Sequence, residues 1–248
     1  MSLDAPAVAA MIDHAILKPE LTRPQVDADL AMAMQHRVFS VCVRPSDVAH
    51  AVSTVAGSGV AVGTVLGFPH GSTSTAAKVA EARQALADGA VELDMVLNVG
   101  RLRSGLLDDV GADIAAVVGV AGERVVKVIL ETAFLTGDEI VAGCHAAEAA
   151  GAAFVKTSTG FAGGGATAEH VALMRASVGP SVQVKASGGV RDLDTLLALC
   201  ELGATRFGTS ASAVILEDAA GRDAGRRRGS SRTRPSDSVA ARTDGASY

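Results

Sequence analysis

Short apolar runs rich in β-branched residues alternate along this chain with Ala-rich stretches of helical period, and the alternation can be counted. Eight strand candidates emerge: Ile12 to Leu17, Val38 to Val43, Val60 to Leu66, Ala90 to Leu97, Val125 to Glu131, Ala153 to Thr157, Val182 to Ala186 and Thr205 to Thr209. Between them lie amphipathic segments such as Arg23 to Gln35, Ser74 to Asp88, Thr136 to Ala150, Thr167 to Val178 and Arg191 to Leu202. Repetition of strand and helix at this spacing implies right-handed crossovers and a parallel sheet. Gly89-Ala90, Gly151-Ala152 and Gly203-Ala204 each close a helix just before a strand, where glycine takes the left-handed conformation at little cost. Eight such units predict α/β architecture of the closed (β/α)8 kind, and 248 residues are enough for one barrel. No Gly-x-Gly-x-x-Gly follows the first strand and no P-loop occurs, which counts against a nucleotide-binding open sheet.

Hydrophobic residues make up 48% of the chain and aromatics only 3%, a composition suited to layered parallel strands under close-packed helices. The formal net charge of -5 gives no global attraction for nucleic acid or an anionic membrane, so an anionic ligand needs a local site. Cys42, Cys144 and Cys200 form no CxxC or Cys/His metal spacing, and a reduced, cytoplasmic chain is expected. No basic leader precedes an apolar stretch, and no apolar run approaches a membrane span. From Arg222 onward Arg, Ser, Thr, Asp and Gly dominate, so the reading divides the chain into a barrel domain, 1–221, and a disordered tail, 222–248. Apolar residues thin out beyond Leu216, which raises the question of a truncated eighth helix. The Arg226-Arg227-Arg228 run is read as a solvated terminus without a specific role.

Strands of a parallel barrel are covered on both sides, so an ionisable residue inside one is costly unless it is paired or stands at the open mouth. This chain has Asp13 in the first strand, Glu92 and Asp94 in the fourth, Lys127 and Glu131 in the fifth, Lys156 in the sixth and Lys185 in the seventh. Residues two apart share a face, so Glu92 pairs in direction with Asp94, and Lys127 with Glu131. Each taken alone could be an ion pair that only sets strand register. Together they intermix acids and bases around one ring. Lys156 and Lys185 end consecutive strands, whose axes lie about 4.8 Å apart. Two close ammonium groups in a partly dry pocket depress the pKa of at least one, which yields a neutral amine able to attack a carbonyl.

Lys156 runs into Thr-Ser-Thr-Gly, Lys185 into Ala-Ser-Gly-Gly-Val-Arg, and the last strand ends Phe-Gly-Thr-Ser. Helices are expected to start near Arg191 and Ser210, so free N–H groups of Gly188, Gly189 and Gly208 face the mouth. The loops after strands seven and eight are the habitual phosphate site of this fold, which points to a phosphorylated substrate.

Six segments, in order, resemble the deoxyribose-phosphate aldolase family: Ile12-Asp13-His14 through Leu17-Lys18-Pro19, Leu66-Gly67-Phe68-Pro69-His70-Gly71, Glu92-Leu93-Asp94-Met95-Val96, Lys127-Val128-Ile129-Leu130-Glu131-Thr132, Lys156-Thr157-Ser158-Thr159-Gly160-Phe161 and Lys185-Ala186-Ser187-Gly188-Gly189-Val190. The likeness covers roughly residues 10–215. It implies metal-free and cofactor-free cleavage of 2-deoxy-D-ribose 5-phosphate to D-glyceraldehyde 3-phosphate and acetaldehyde. By the same resemblance Lys156 is the Schiff-base lysine, Lys185 the lysine that tunes it, and Asp94 the carboxylate of a proton relay. Gly160, Gly188, Gly189, Gly208 and Ser210 match positions around the phosphate, with Phe161 and Thr209 beside them. Asp13 and Lys127 are expected as secondary members of the charge network, and Cys42 as a pocket-lining or core thiol. The sequence departs from the family pattern at Ala15, where Thr commonly follows Asp-His.

Expected partners are a sugar phosphate and aldehydes, with no nucleic acid and no membrane, and a homo-oligomer is compatible with the reading. On the residues alone another phosphate-binding barrel stays open, such as a sugar-phosphate isomerase or a different Schiff-base aldolase. So does a non-catalytic barrel that binds sugar phosphates, although the intact Asp94, Lys156 and Lys185 argue against it.

Overall fold

The computed structural model describes residues 3–231. A short helix α1 (Ala5–Ala9) leads into β1 (Ile12–Ile16), followed by α2 (Arg23–His36), β2 (Ser40–Val43), α3 (Val48–Val55), β3 (Ala61–Leu66), α4 (Thr75–Ala87) and β4 (Glu92–Val96). Helices α5 (Val99–Arg103) and α6 (Leu107–Ala121) precede β5 (Val125–Ile129), then α7 (Gly137–Ala149), β6 (Phe154–Lys156), α8 (Ala168–Ala176), β7 (Gln183–Ser187), α9 (Leu193–Glu201), β8 (Ala204–Thr209) and α10 (Ser212–Ser231). The eight strands pair in sequence order, all parallel, and β8 closes on β1 to make a TIM barrel. All eight expected strands are present, with ends that shift by one or two residues.

Local chemistry explains the helix starts. Thr136 caps α7 while Glu139 reaches back to the Thr136 N–H, and Ser74, Thr167 and Asp192 each accept an N–H of the first turn of α4, α8 and α9. Outward-facing strand residues such as Val41, Leu93, Val128, Val155 and Val184 are buried against the helices, so the apolar core is a sleeve between barrel and helix ring.

Two expectations need correction. Glu131 lies beyond β5, with φ 58°, so it leaves the alternation that would have set it on the same face as Lys127. The last helix is also longer than its apolar content suggests and continues through Ser231, past the expected domain boundary at residue 221. Beyond Leu216 polar contacts hold it: Arg222 bonds Asp218 and Asp194, and Asp223 accepts the Ala5 N–H at 2.8 Å. The rest of the expected tail, 232–248, lies outside the described residues.

One buried ion pair stands apart from the barrel interior. Lys78 of α4, fully buried, reaches Asp113 of α6 at 2.6 Å, and Thr75 donates to the other oxygen of that carboxylate. Lys78 also packs beneath Gly67, whose N–H is taken by Glu81, so the pair anchors the loop after β3. Removing one partner leaves an uncompensated buried charge. Asp113→Ala is therefore expected to lower unfolding free energy by about 3–5 kcal/mol in urea denaturation; a loss below about 1 kcal/mol would contradict this role.

Candidate active site

Parallel barrels normally fill their interior with branched apolar side chains. Here one half of the interior is ionic. Glu92 and Asp94 project inward from β4, two residues apart, and Lys127 on β5 bonds both at 2.7 Å. Asp94 then divides its oxygens. Oδ1 takes Lys127, while Oδ2 takes Lys156 at 2.7 Å and Lys185 at 2.8 Å. Lys185 also donates to Asp13, which accepts from Ser40 at 2.7 Å and Arg206 at 2.8 Å on its other oxygen. All of the expected ionic residues except Glu131 thus meet in one continuous network.

Their titration follows from their surroundings. Burial pushes the Asp94 carboxyl up, but Lys127, Lys156 and Lys185 together pull it well below the usual carboxylate range. Asp13 behaves alike, with Lys185, Lys127 and Arg206 outweighing burial. Burial lowers Lys127 and Lys185, yet their acids more than reverse it and both end above the ordinary ammonium value. Lys156 is the exception: burial pushes it down, Asp94 only partly compensates, and the neighbouring Lys185 adds to the depression. The two lysines that share an Asp94 oxygen therefore titrate in opposite directions. Cys42 is pushed up to about 11 by burial and by Asp94, which makes it a protonated wall thiol.

Above this floor a cavity of about 480 Å3 opens at the C-terminal mouth of the barrel. Of the expected site residues, Asp13, Cys42, Lys156, Lys185, Gly160, Gly188, Gly189, Gly208 and Ser210 line it, with Phe161 and Thr209; Asp94 and Lys127 lie beneath. Helices α9 and α10 begin at Leu193 and Ser212, each two residues later than expected, which lengthens both loops. Gly188 and Gly189 take φ values of 81° and 80°, open to glycine at no steric penalty. No acceptor among the described residues takes the N–H of Gly189 or Ser210. Both donors are free for a ligand.

Two contributors, Arg206 and Thr157, were not singled out from sequence, and Glu131 has a place other than the one expected. Arg206 is inward-facing in β8 and binds Asp13 and Glu92; the alternation that sends Gly208 to the mouth also points Arg206 inward, two residues below. Glu131, its carboxyl pushed up by burial, accepts both the N–H and the hydroxyl of Thr159 and so fixes the turn after Lys156. Thr157 donates to the Ser187 carbonyl and accepts the Ser187 N–H, both at 3.0 Å, which ties the ends of β6 and β7 together. The Ser187 hydroxyl lies buried beside the cavity and makes no hydrogen bond.

Fold and cavity together define a TIM-barrel enzyme with amines and carboxylates on the floor of its mouth. A family model, DeoC/LacD family aldolase, matches residues 7–228, and the chain belongs to that family. Deoxyribose-phosphate aldolase 2 of Staphylococcus aureus (strain MRSA252) is 53% identical over 209 residues, 84% of this chain and 95% of the relative. The deoxyribose-phosphate aldolase of Brevibacillus brevis is 52% identical, over 84% of this chain and 94% of its own. Among solved structures, an aldolase called QR15 superposes with a TM-score of 0.84 at 39% identity, covering 88% of this chain and 97% of that one. The tetrameric deoxyribose phosphate aldolase of Aeropyrum pernix gives 0.79 at 29% identity, covering 86% and 91%.

The glycine-rich loop after β6 is shaped by contact with the one after β7. A Cβ on Gly165 would stand 2.3 Å from the Gly188 carbonyl oxygen, and the Ala166 N–H donates to that same oxygen at 2.9 Å. Only glycine lets the two backbones meet. Gly165→Ala is expected to destabilise the protein by about 1–3 kcal/mol, the usual range for overpacking, as read by chemical denaturation. Unchanged stability would show that this contact gives way freely.

Proposed function

We propose that the protein is a class I aldolase that reversibly cleaves 2-deoxy-D-ribose 5-phosphate to D-glyceraldehyde 3-phosphate and acetaldehyde through a Schiff base on Lys156. The observation that carries the reading is the pair of lysines on one Asp94 oxygen at the cavity floor, one depressed and one raised. The names of relatives about half identical over most of the chain support the substrate.

In this reading the Lys156 amine adds to the open-chain aldehyde and loses water to give a protonated imine. Asp94, held in place by the Lys185 ammonium and linked to the substrate through a water, takes the proton of the C3 hydroxyl. The C2–C3 bond breaks, its electron pair flows to the imine nitrogen, and glyceraldehyde 3-phosphate departs. The resulting enamine is protonated at C2 and hydrolysed, which releases acetaldehyde and restores the amine. The phosphate lies against the free N–H groups of Gly189 and Ser210 and the Ser210 hydroxyl, with Gly188 and Gly208 allowing close approach and Gly160 opposite. No metal or organic cofactor takes part. The three cysteines, all free thiols, fit a cytoplasmic setting, and the tetramer of the Aeropyrum relative supports self-association.

Borohydride reduction in the presence of deoxyribose 5-phosphate, followed by peptide mass spectrometry, tests the chemistry directly. Wild type is expected to carry the adduct on Lys156. Lys156→Ala and Lys185→Leu both abolish useful turnover at neutral pH, but only the first loses all adduct. An adduct on Lys185 in Lys156→Ala, formed at wild-type efficiency, would reverse the assignment of nucleophile and tuner.

Gly189 tests the phosphate placement. A Cβ there meets nothing within 4 Å and projects into open space at the cavity wall. Gly189→Val is expected to lower kcat/KM for deoxyribose 5-phosphate by more than about tenfold, with a much smaller loss for unphosphorylated deoxyribose, because phosphate contacts act through binding remote from the broken bond. An equal fractional loss for both substrates would remove the phosphate from this loop.

A further inference from the structure

Arg206 occupies a position that an uninterrupted sheet would not give it. Along β7 and β8, Val184 stands opposite Ala204, but Lys185 stands opposite Arg206, so one extra residue, Thr205, is inserted in β8. A bulge of this kind re-aims the side chains that follow. Without it Lys185 would face Thr205. With it, Arg206 shares the inward direction of Lys185 and enters the ionic network from below.

There its guanidinium stacks on Phe39, 3.5 Å from the ring centroid, with Phe154 at 5.4 Å, and one nitrogen reaches Asp13 at 2.8 Å and Glu92 at 3.3 Å. Three buried carboxylates, Asp13, Glu92 and Asp94, thus meet three cations without Lys156: Lys127, Lys185 and Arg206. Lys156 is a fourth base, bonded only to an oxygen already shared with Lys185. Two other groups face Lys156: Cys42 on β2 is a protonated thiol, and Glu131 after β5 is a buried carboxyl that feels the Lys156 charge but makes no ion pair with it, giving its oxygens to Thr159 while burial pushes it towards the neutral form.

Resting on the aldolase reading, we propose that Arg206 is a positioning residue of the reaction, the third cation that neutralises the buried acids and so frees Lys156 to act as an amine. It touches neither the cavity nor the substrate. Loss of its charge leaves the floor one negative charge in excess, and the proton that restores neutrality goes to the least-paired base at the cavity, Lys156.

The test is the pH profile of deoxyribose 5-phosphate cleavage together with borohydride labelling of Lys156. Removing a cation raises the proton affinity of Lys156, so in Arg206→Met the acid limb of kcat/KM moves to higher pH by about one unit or more, with activity and labelling regained in alkaline buffer. Arg206→Lys, which keeps the charge, leaves the limb near its wild-type position. Glu92→Gln removes an acid and moves the limb to lower pH, and the double variant Arg206→Met/Glu92→Gln returns it towards wild type. Should Arg206→Met fail to fold, Glu92→Gln and Arg206→Lys still decide the matter by the direction of the limb. A uniform loss at every pH with an unmoved limb, in variants that still label at Lys156, overturns the proposal and leaves the aldolase reading standing. Absence of Lys156 labelling in wild type overturns both.

Discussion

Asp94 is the residue on which the interior depends. A carboxylate at 1% exposure inside a barrel is tolerable only with partners, and it has three, one on each of β5, β6 and β7. Those bonds hold three consecutive strand ends to β4 across the interior, and Asp13 with Arg206 extends the same arrangement to β1 and β8. The ion network is thus both packing and chemistry. It replaces the apolar layers that would otherwise fill the barrel, and it fixes each lysine amine within hydrogen-bonding distance of a carboxylate oxygen.

Family membership and geometry speak to different questions. The chain is a DeoC/LacD family aldolase by likeness over most of its length; the structure explains why one of its buried lysines differs from the others. Lys127 and Lys185 each contact more than one carboxylate and are held as ammonium groups, whereas Lys156 sits at the end of its strand with a share of a single oxygen. Burial therefore prevails at Lys156 and is outweighed at the other two. Above this floor, glycine contacts such as Gly165 on Gly188 bring the loops after β6 and β7 together and leave N–H groups free at the mouth.

Much of this was legible in the residue order. Strand alternation carries the barrel, and the two acids at alternate positions of β4, with single charges in β1, β5, β6 and β7, predict an inward acid–base ring because a parallel strand leaves them nowhere else to go. Glu131 misleads for the same reason: alternation holds only while the strand lasts, and a left-handed residue ends it. The length of α10 was hidden because ion pairs and the contact with α1, not apolar burial, hold its second half. Arg206 could have been found by the alternation in β8, but its partnership with Lys185 depends on a one-residue bulge that no local pattern announces. The division of Asp94 between lysines is a matter of three-dimensional register and has no sequence signal.

The central claim is a difference in protonation between chemically identical side chains that share one oxygen atom. Neutron diffraction from deuterium-exchanged crystals near neutral pH reads it directly, since the deuterons on each nitrogen are seen. The account predicts a neutral amine at Lys156 Nζ and full ammonium groups at Lys127 and Lys185, with Asp13, Glu92 and Asp94 unprotonated. A full ammonium at Lys156 in the resting enzyme, or a neutral amine at Lys185 in its place, would contradict it.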